Sequence, residues 1–190
     1  MRHTVALPED RPLTVAVVAD THSRPHPSLG ERLAALAPDL VLHAGDIGDL
    51  EVLTALERQA PRVVAVRGNI DTGAAYLPDV AVVTFAGAQG KLVVLMTHVA
   101  VYGPKLRADV KRLAAREDAD LVVCGHSHVP FVAREGALTV LNPGSVGPRR
   151  FRLPIVMAVV VVGREGVRVS HLDVETGEPF APPPAVSRAI

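Results

Sequence analysis

Five short segments of the chain carry polar side chains that can bind metal ions. They are Asp20-Thr21-His22, Gly45-Asp46, Gly68-Asn69, Thr97-His98 and Gly125-His126-Ser127-His128. Each segment alone is weak, because a Gly-Asp pair is usually a turn and an isolated histidine is usually structural. Together they hold four of the eight histidines of the chain, with two aspartates and an asparagine. Imidazole and oxygen ligands without thiolate suit divalent transition metals, so the segments predict metal-assisted chemistry.

The spacing within two of these segments adds to the pattern. Asp20 and His22 are two positions apart, and so are His126 and His128. In an extended segment this spacing places both side chains on one side of the backbone. We therefore expect each pair to point toward the same site.

The segments must be held by strands, because each one directly follows a β-branched apolar run. Such runs predict strands followed by helices in the first half of the chain, at 13–19, 39–43 and 62–66 with helices at 29–37 and 50–59. This rhythm predicts parallel strands covered by helices. The second half predicts a hairpin with strands at 80–85 and 91–97, followed by a helix at 104–116. Further strands are predicted at 121–124, 131–134, 138–141, 155–162 and 167–172. In open α/β sheets ligands bind beyond the carboxyl ends of the strands, so we expect all the polar groups to converge on one rim.

Bulk composition narrows the class of protein. The chain has 190 residues with 20 Lys and Arg against 20 Asp and Glu, which argues against a broad basic surface for long nucleic acid. A small phosphorylated substrate is compatible with this balance. The longest apolar run, 155–162, is far shorter than the roughly 20 residues of a membrane-spanning helix, and no signal peptide is evident. With one cysteine and no membrane segment, the expectation is a cytoplasmic protein. We predict a single domain over 1–173 and a loose, Pro-rich tail over 174–190; a homo-oligomer stays open.

With Asn142-Pro143-Gly144-Ser145 following the histidine pair, the chain resembles the calcineurin-like metallophosphoesterase family. The likeness is to its small single-domain bacterial and archaeal phosphodiesterases. It covers about 15–150, and every segment occurs in the family's order. The resemblance implies an α/β fold: a four-layer α-β-β-α sandwich of two stacked mixed sheets flanked by helices. It also implies a metal site at the carboxyl ends of the strands.

The same resemblance implies a ligand set for two divalent metal ions. One ion would be held by Asp20, His22 and His128, and the other by Asn69, His98 and His126, with Asp46 bridging both. Manganese is expected first, with iron, zinc, cobalt or nickel as alternatives. A hydroxide between the ions would attack phosphorus in line, with Asp46, Asn69 and His98 taking part in the reaction. The predicted substrates are small nucleotide-like or aryl phosphodiesters.

Two positions depart from the family pattern. Ile70 follows the asparagine, where many larger members carry a histidine that assists the leaving group. The chain therefore has no obvious general acid, and good leaving groups are predicted to react best. Val99 follows His98 where the family commonly has glycine, and its side chain is predicted to narrow the site.

Two other functions stay open. A eukaryotic retromer subunit resembles this fold and serves as a scaffold for protein assembly, but here all seven ligand positions are intact. A phosphomonoesterase or phosphoprotein phosphatase is the other alternative, against which Ile70 weighs.

The remaining polar residues have ordinary interpretations beside functional ones. Asp71 either orients a ligand or caps a turn, and Asn142 either forms a turn or supports the site. His43 and Cys124 are predicted to be buried structural residues. The remaining histidines are predicted at the surface, namely His3, His26 and His171. Candidates for a substrate mouth, with ordinary surface positions as the alternative, are Tyr102, Arg149 and Arg150.

Overall fold

The protein is described by a computed structural model that covers residues 1–103 and 105–183. The elements of its first half are β1 (Arg2–Ala6), β2 (Leu13–Val18), α1 (Leu29–Leu36), β3 (Leu40–His43), α2 (Glu51–Glu57), β4 (Val63–Ala65), β5 (Val80–Gly87) and β6 (Gly90–Thr97). The second half adds β7 (Val101–Tyr102), β8 (Lys105–Leu106), α3 (Ala108–Arg116), β9 (Leu121–Val123), β10 (Phe131–Glu135), β11 (Leu138–Asn142), β12 (Val156–Gly163), β13 (Gly166–Asp173) and β14 (Pro179–Phe180).

The strands form two mixed sheets of six strands each. The first has the order β1-β5-β6-β9-β11-β10, and the second has the order β14-β13-β12-β2-β3-β4. Within the second sheet β2, β3 and β4 are parallel neighbours, and within the first β6, β9 and β11 are parallel neighbours. The carboxyl ends of these strands are therefore free to carry loops at one edge of each sheet.

Alternation along β2 shows how the sheets stack. Val15 and Val17 pack into the core between the two sheets, together with Leu42 of β3 and Val83 of β5. Residues of the opposite face, such as Val18, pack against the helices instead. A strand buried on both faces reads as a continuous β-branched run, which is why the sequence predicts it well.

The helices cover the outer faces of the sheets. Leu33 of α1 and Leu56 of α2 are buried against the second sheet, whereas Val110 of α3 is buried against the first. The order of layers is thus helix, sheet, sheet, helix. The predicted α-β-β-α sandwich is confirmed, and no helix in the described ranges is long and apolar enough to span a membrane.

The structure differs from the sequence prediction at both chain ends and before α3. β1, which was not predicted, lies at the sheet edge beside β5 in parallel register. The predicted helix at 104–116 begins at Ala108, because Lys105–Leu106 pairs with Val101–Tyr102 as a small hairpin. Residue 104 lies outside the described residues.

The predicted tail is attached to the second sheet over part of its length. Pro179–Phe180 pairs with β13 and Val174 is buried in the core, so the expectation of a loose segment is wrong for these three residues. Strand pairing needs only two backbone contacts here, which composition does not reveal. Residues 184–190 lie outside the described part of the chain, and the division into 1–173 and 174–190 stays a prediction.

Candidate metal centre

Six side chains meet at the shared edge of the two sheets as two clusters that can each hold a metal ion. The first cluster contains Asp20, His22 and His128, and the second contains Asp46, His98 and His126. In each cluster the ligand atoms lie within 4.8 Å of one another. The grouping is the one that the family resemblance implies.

Loops after strands of both sheets supply these side chains. Asp20 and Asp46 follow the parallel strands β2 and β3, while His98 and His126 follow the parallel strands β6 and β9. Asn69 follows β4, and its amide nitrogen lies 3.2 Å from His126 Nδ1. The predicted convergence on one rim is therefore confirmed.

The backbone that delivers the ligands is not extended. Five of the seven residues have φ between 46° and 69°, in the left-handed region: Asp20, His22, Asp46, His126 and His128. Non-glycine residues seldom adopt this conformation, although Asp and His tolerate it better than most, and it concentrates at functional sites.

This geometry corrects the spacing argument made from the sequence. Asp20 and His22 reach one cluster through left-handed turns and not along one side of an extended strand. His126 and His128 also have left-handed backbones and reach different clusters, as the family resemblance implied. The two-residue spacing correctly indicated a common site, but left-handed turns and not an extended backbone bring the side chains there.

Asp46 lies between the clusters with one carboxylate oxygen toward each. Its Oδ1 is 3.2 Å from His98 Nε2 of its own cluster, and its Oδ2 is 3.7 Å from His22 Nε2 of the first cluster. The backbone N–H of Ile70 donates to Oδ1 at 3.2 Å and fixes the carboxylate. A carboxylate in this position suits a bridge between two cations.

The protonation of His98 fits a metal ligand. Its Nδ1 lies 2.8 Å from the carbonyl oxygen of Ala44, so the ring proton is on Nδ1. Its Nε2 is buried in the cluster and makes no hydrogen bond within the described residues, in spite of its proximity to Asp46. A ligating histidine is commonly held in this way, with one nitrogen donating to a carbonyl and the other free for the ion.

The first cluster also calls for a positive charge. His22 Nε2 and His128 Nε2 are 3.2 Å apart, and two unprotonated ring nitrogens repel each other at that separation unless a proton or a cation lies between them. His128 Nε2 is in turn 3.4 Å from Asp20 Oδ1. The donor set and its arrangement therefore fit a divalent ion.

The two aspartates have opposite pKa shifts. Burial raises the pKa of Asp20 to about 7, and the nearby Asp46 charge adds to this against the opposing effect of His98. Burial also acts to raise the pKa of Asp46, but His98, the Ile70 N–H and His22 together outweigh it, and the pKa of Asp46 lies below its ordinary range. A carboxylate that is 0% exposed, such as Asp20, is costly to ionise without a bound cation.

Asp71 ties together the loops that carry Asp46 and Asn69. Its carboxylate accepts hydrogen bonds from the backbone N–H groups of Ile47, Gly48 and Gly68 at 3.1, 2.9 and 2.7 Å. Asp71 is buried, so these bonds are shielded from water. It positions two ligand loops, which is the ligand-orienting interpretation and not that of a simple turn cap.

The Asn142-Pro143-Gly144-Ser145 segment supports the site from beneath. Asn142 donates through Nδ2 to the Gly125 carbonyl at 2.7 Å, and its Oδ1 accepts the Gly144 N–H at 2.9 Å, so it both supports the site and forms the turn. Ser145 Oγ donates to the Asp20 carbonyl at 3.1 Å. The segment thereby fixes the loops of Asp20 and His126.

Glycines before the ligands allow close approach of the backbone. A Cβ at Gly125 would stand 2.9 Å from Asp20 Oδ2, and a Cβ at Gly68 would overlap Asp46. The Gly-Asn and Gly-His pairs of the sequence are thus packing requirements of the site.

His43, Cys124 and His171 are all buried, and the last of these was misassigned. His43 is fully buried, accepts the Gly45 N–H and contacts Thr21 Oγ1, as expected of a structural residue. Cys124 is buried as predicted, and burial raises the pKa of its thiol to about 12. His171 is also buried and donates to the Asn142 carbonyl at 2.8 Å, so its predicted surface position is wrong. Its place in β13, whose other residues are mostly exposed, gave no sequence signal of burial.

The two arginines that were predicted at the substrate mouth have different partners. Arg149 is held by Glu175 and by the Leu153 carbonyl, away from the clusters. Arg150 instead donates through Nη2 to His22 Nε2 at 3.1 Å and makes no ion pair with a carboxylate of the described residues. Arg150 is therefore the cation at the edge of the first cluster.

A family model now decides the class of protein, since the description "Calcineurin-like phosphoesterase superfamily domain" matches residues 13–165. The chain belongs to the calcineurin-like phosphoesterase superfamily. The resemblance drawn from the motifs is confirmed, down to the small archaeal and bacterial branch.

Individual members of the superfamily agree with this assignment. A "Probable metallophosphoesterase" of Methanothermobacter thermautotrophicus is 29% identical over 171 residues, which cover 88% of this chain and 95% of that protein. The phosphodiesterase YfcE of Escherichia coli is 31% identical over 99 residues, half of each chain. Vacuolar Protein Sorting 29 of Cryptosporidium parvum has the same fold, with a TM-score of 0.72 at 19% identity over 90% of this chain and 96% of that one. This chain therefore has the fold of its relatives and two clusters that are able to hold metal ions.

Proposed function

We propose that this protein is a dinuclear metal-dependent phosphodiesterase that hydrolyses small nucleotide-like or aryl phosphodiesters. The observation that carries the proposal is the position of Asp46, with Oδ1 beside the second cluster and Oδ2 facing the first. Two clusters joined by one carboxylate suit two ions close together, and such a pair favours displacement at phosphorus.

Each cluster residue has a role that its surroundings support. Asp20, His22 and His128 would hold one ion, and Asn69, His98 and His126 the other, with Asp46 shared. The ions, when bound, would supply Lewis acidity and activate a water for attack on phosphorus. Manganese is the first expectation, with iron, zinc, cobalt or nickel as alternatives, because imidazole and oxygen ligands accept all of them.

The exposed Asn69 is proposed to act on the substrate as well. Its side chain stands at the rim beside His126, and its amide N–H groups can donate to a phosphoryl oxygen. Donors fixed in advance of the reaction stabilise developing charge without reorganisation. His98, which the Ala44 carbonyl holds through Nδ1, is proposed to keep the neighbouring Asp46 and its ion in position.

The charge of the centre and the side chain of Ile70 favour diesters with good leaving groups. Two divalent ions carry four positive charges, of which Asp20 and Asp46 neutralise two, so an anionic ester is attracted. Ile70 is 46% exposed at the position where larger members have histidine, and it cannot protonate a leaving group. Aryl esters, which leave readily as anions, are proposed to react faster than alkyl esters.

Hydrolysis of bis-p-nitrophenyl phosphate beside p-nitrophenyl phosphate tests the proposal. Chelated protein is assayed with and without Mn²⁺, together with Asp46→Asn and the matched control Asp10→Asn, an exposed aspartate outside the clusters. The expected result is diester cleavage that Mn²⁺ restores, that Asp46→Asn abolishes and that Asp10→Asn retains.

Other outcomes point to the alternative functions. Protein that binds metal and turns over neither ester would favour a scaffold for protein assembly. Faster cleavage of the monoester would favour a phosphomonoesterase or phosphoprotein phosphatase. The proposed partner is a small phosphate ester, and self-association stays a prediction for sedimentation analysis.

A further inference from the structure

An apolar cleft of about 410 Å³ opens beside the second cluster. One wall is the segment after β6, with Val99, Val101 and Tyr102, and the other wall contains Val129 and Phe131. This volume lies in the range of about 300 to 1,000 Å³ that is typical of small-molecule sites.

The cleft is continuous with the proposed metal centre. His126 belongs both to the second cluster and to the lining of the cleft. Val99 directly follows His98, so the valine that departs from the family's glycine forms part of the apolar wall. An ester group attached to phosphorus at the second cluster therefore has this cleft within reach.

Two apolar side chains are exposed at the cleft. Tyr102 is 87% exposed and Val129 is 40% exposed. The small β7–β8 hairpin holds Tyr102 in place, since Val101 pairs with Leu106 and Tyr102 pairs with Lys105. A single exposed tyrosine is ordinary on a protein surface, but a tyrosine opposite an exposed valine beside a candidate catalytic centre is a flat surface for a ring.

The other sides of the centre carry charged side chains. Beyond Asn69 and His98 the surface carries the ion pairs Arg67–Asp79 and Arg107–Asp109. Beyond His22 it carries Arg150. The lining of the cleft is thus more apolar than the surface beyond Asn69 and His98, where Val80 and Leu113 lie beside the two ion pairs.

Ser127 gives the cleft one polar contact. Its Oγ accepts hydrogen bonds from Val129 N–H at 3.3 Å and from Asn142 Nδ2 at 3.1 Å. With both lone pairs used, its hydroxyl hydrogen is free to donate to an acceptor on a ligand.

We propose that this cleft binds one aromatic ester group of the substrate, an aryl ring or a nucleobase, stacked on Tyr102 with an acceptor toward Ser127. The inference rests on the proposed phosphodiesterase function and specifies its substrate class. Stacking of a base or ring on an exposed aromatic side chain contributes about tenfold in affinity.

Binding of two phosphonates to the metal-loaded protein tests the cleft without turnover. Phenylphosphonate and methylphosphonate both offer the anionic group to the centre, and their carbon–phosphorus bond is not an ester. We expect isothermal titration calorimetry to give about tenfold tighter binding of phenylphosphonate. Tyr102→Ala should reduce that preference to near unity, while Tyr76→Ala, the same change at the other tyrosine of the chain, should retain it.

Fluorescence gives a second readout on the same site. The chain has no tryptophan and two tyrosines, so Tyr76→Phe leaves Tyr102 as the single tyrosine emitter. Phenylphosphonate should change its emission with the calorimetric affinity, and methylphosphonate should not.

The failure of the cleft is distinct from the failure of the phosphodiesterase proposal. Equal affinities for the two phosphonates, or an unchanged preference in Tyr102→Ala, would overturn the cleft even if Mn²⁺-dependent diester cleavage is found. A preference for phenylphosphonate that Tyr102→Ala removes would support the cleft even if no ester is cleaved. Binding of neither phosphonate would overturn it.

Discussion

The two metal clusters differ in how far the protein encloses them. In the first, Asp20 and His128 are 0% and 2% exposed, and the backbone N–H of His126 donates to the Asp20 carboxylate at 3.0 Å. In the second, His98 is equally buried, but His126 is exposed and adjoins an apolar cleft. The difference teaches that one half of the centre holds its charged group inside the protein, whereas the other half is open on the side where we propose that the ester binds.

Removal of one ligand from either cluster is expected to leave the protein with one metal ion in place of two. Asp20→Asn is expected to lose the ion of the first cluster and retain that of the second, and His126→Asn the reverse. Diester turnover should fall by on the order of 10³-fold in both, because displacement needs both ions. Metal content after dialysis against Mn²⁺, with turnover on the same samples, checks this. Full occupancy of both sites in either variant would contradict the ligand assignment.

Asp71 supports the part of the centre that the two clusters share, since it joins the loop of Asp46 to the loop of Asn69. Asp71→Asn keeps the size of the side chain and removes the charge that accepts three N–H groups. We expect metal affinity to fall by about 10- to 100-fold, as for other residues that orient ligands. Competition with a fluorescent chelator measures this, with Asp49→Asn as a control on the neighbouring loop surface. Equal affinities for the two variants would reduce Asp71 to a local cap.

The enclosed Asp20 and the shared Asp46 should change the free energy of unfolding with opposite sign when they lose charge in chelated protein. Burial raises the pKa of Asp20 from 3.8 to about 7, so the stability that its neutral form contributes is lost as pH rises through 7. The pKa of Asp46 is lowered, so its ionised form stabilises the fold above the unfolded value. At pH 8 we expect Asp20→Asn to raise the free energy of unfolding and Asp46→Asn to lower it.

Urea unfolding in EDTA at pH 8 and pH 5 resolves these two effects. The gain from Asp20→Asn should shrink at pH 5, where the native carboxyl is mostly neutral, whereas the loss from Asp46→Asn should persist. The same sign for both variants at pH 8 would remove the electrostatic distinction between the halves.

The two clusters also differ in what borders them at the surface, because Arg150 lies beside the first and the apolar cleft lies beside the second. A variant of Arg150 is expected to have the smallest effect. Arg150→Gln removes a charged donor near His22, and we expect KM for the diester to rise about tenfold with little change in kcat. Arg152→Gln, the same change at an exposed arginine two residues away, is the control. Equal KM values for the two variants would show that Arg150 does not contact the substrate phosphate.

The sequence predicts this centre well where a residue type and its strand determine the outcome. β-branched runs mark β2 and β3, and the polar residues after them had to reach the carboxyl edge of a parallel sheet. The grouping of His126 and His128 followed from the family resemblance and not from spacing. Left-handed φ values at both residues redirect their side chains, and a regular strand geometry cannot anticipate that.

Contacts between distant segments were the least predictable part. Burial of His171 depends on its bond to Asn142, 29 residues earlier, and the β7–β8 hairpin replaces the first turn of a predicted helix. Both depend on tertiary packing that no local pattern records. The apolar cleft belongs to the same class, because its two walls come from different loops.

The strand order of the second sheet also determines when during synthesis the centre can form. All seven ligand positions have left the ribosome once residue 128 is exposed, but β2, which carries Asp20, still lacks its neighbour β12 at Val156–Gly163. Until then one edge of β2 has no backbone partner, and the loop of Asp20 has no Ser145 to hold it. A nascent chain therefore contains every ligand before the strand and the serine that position Asp20 have been made, so we expect metal capture to follow insertion of β12.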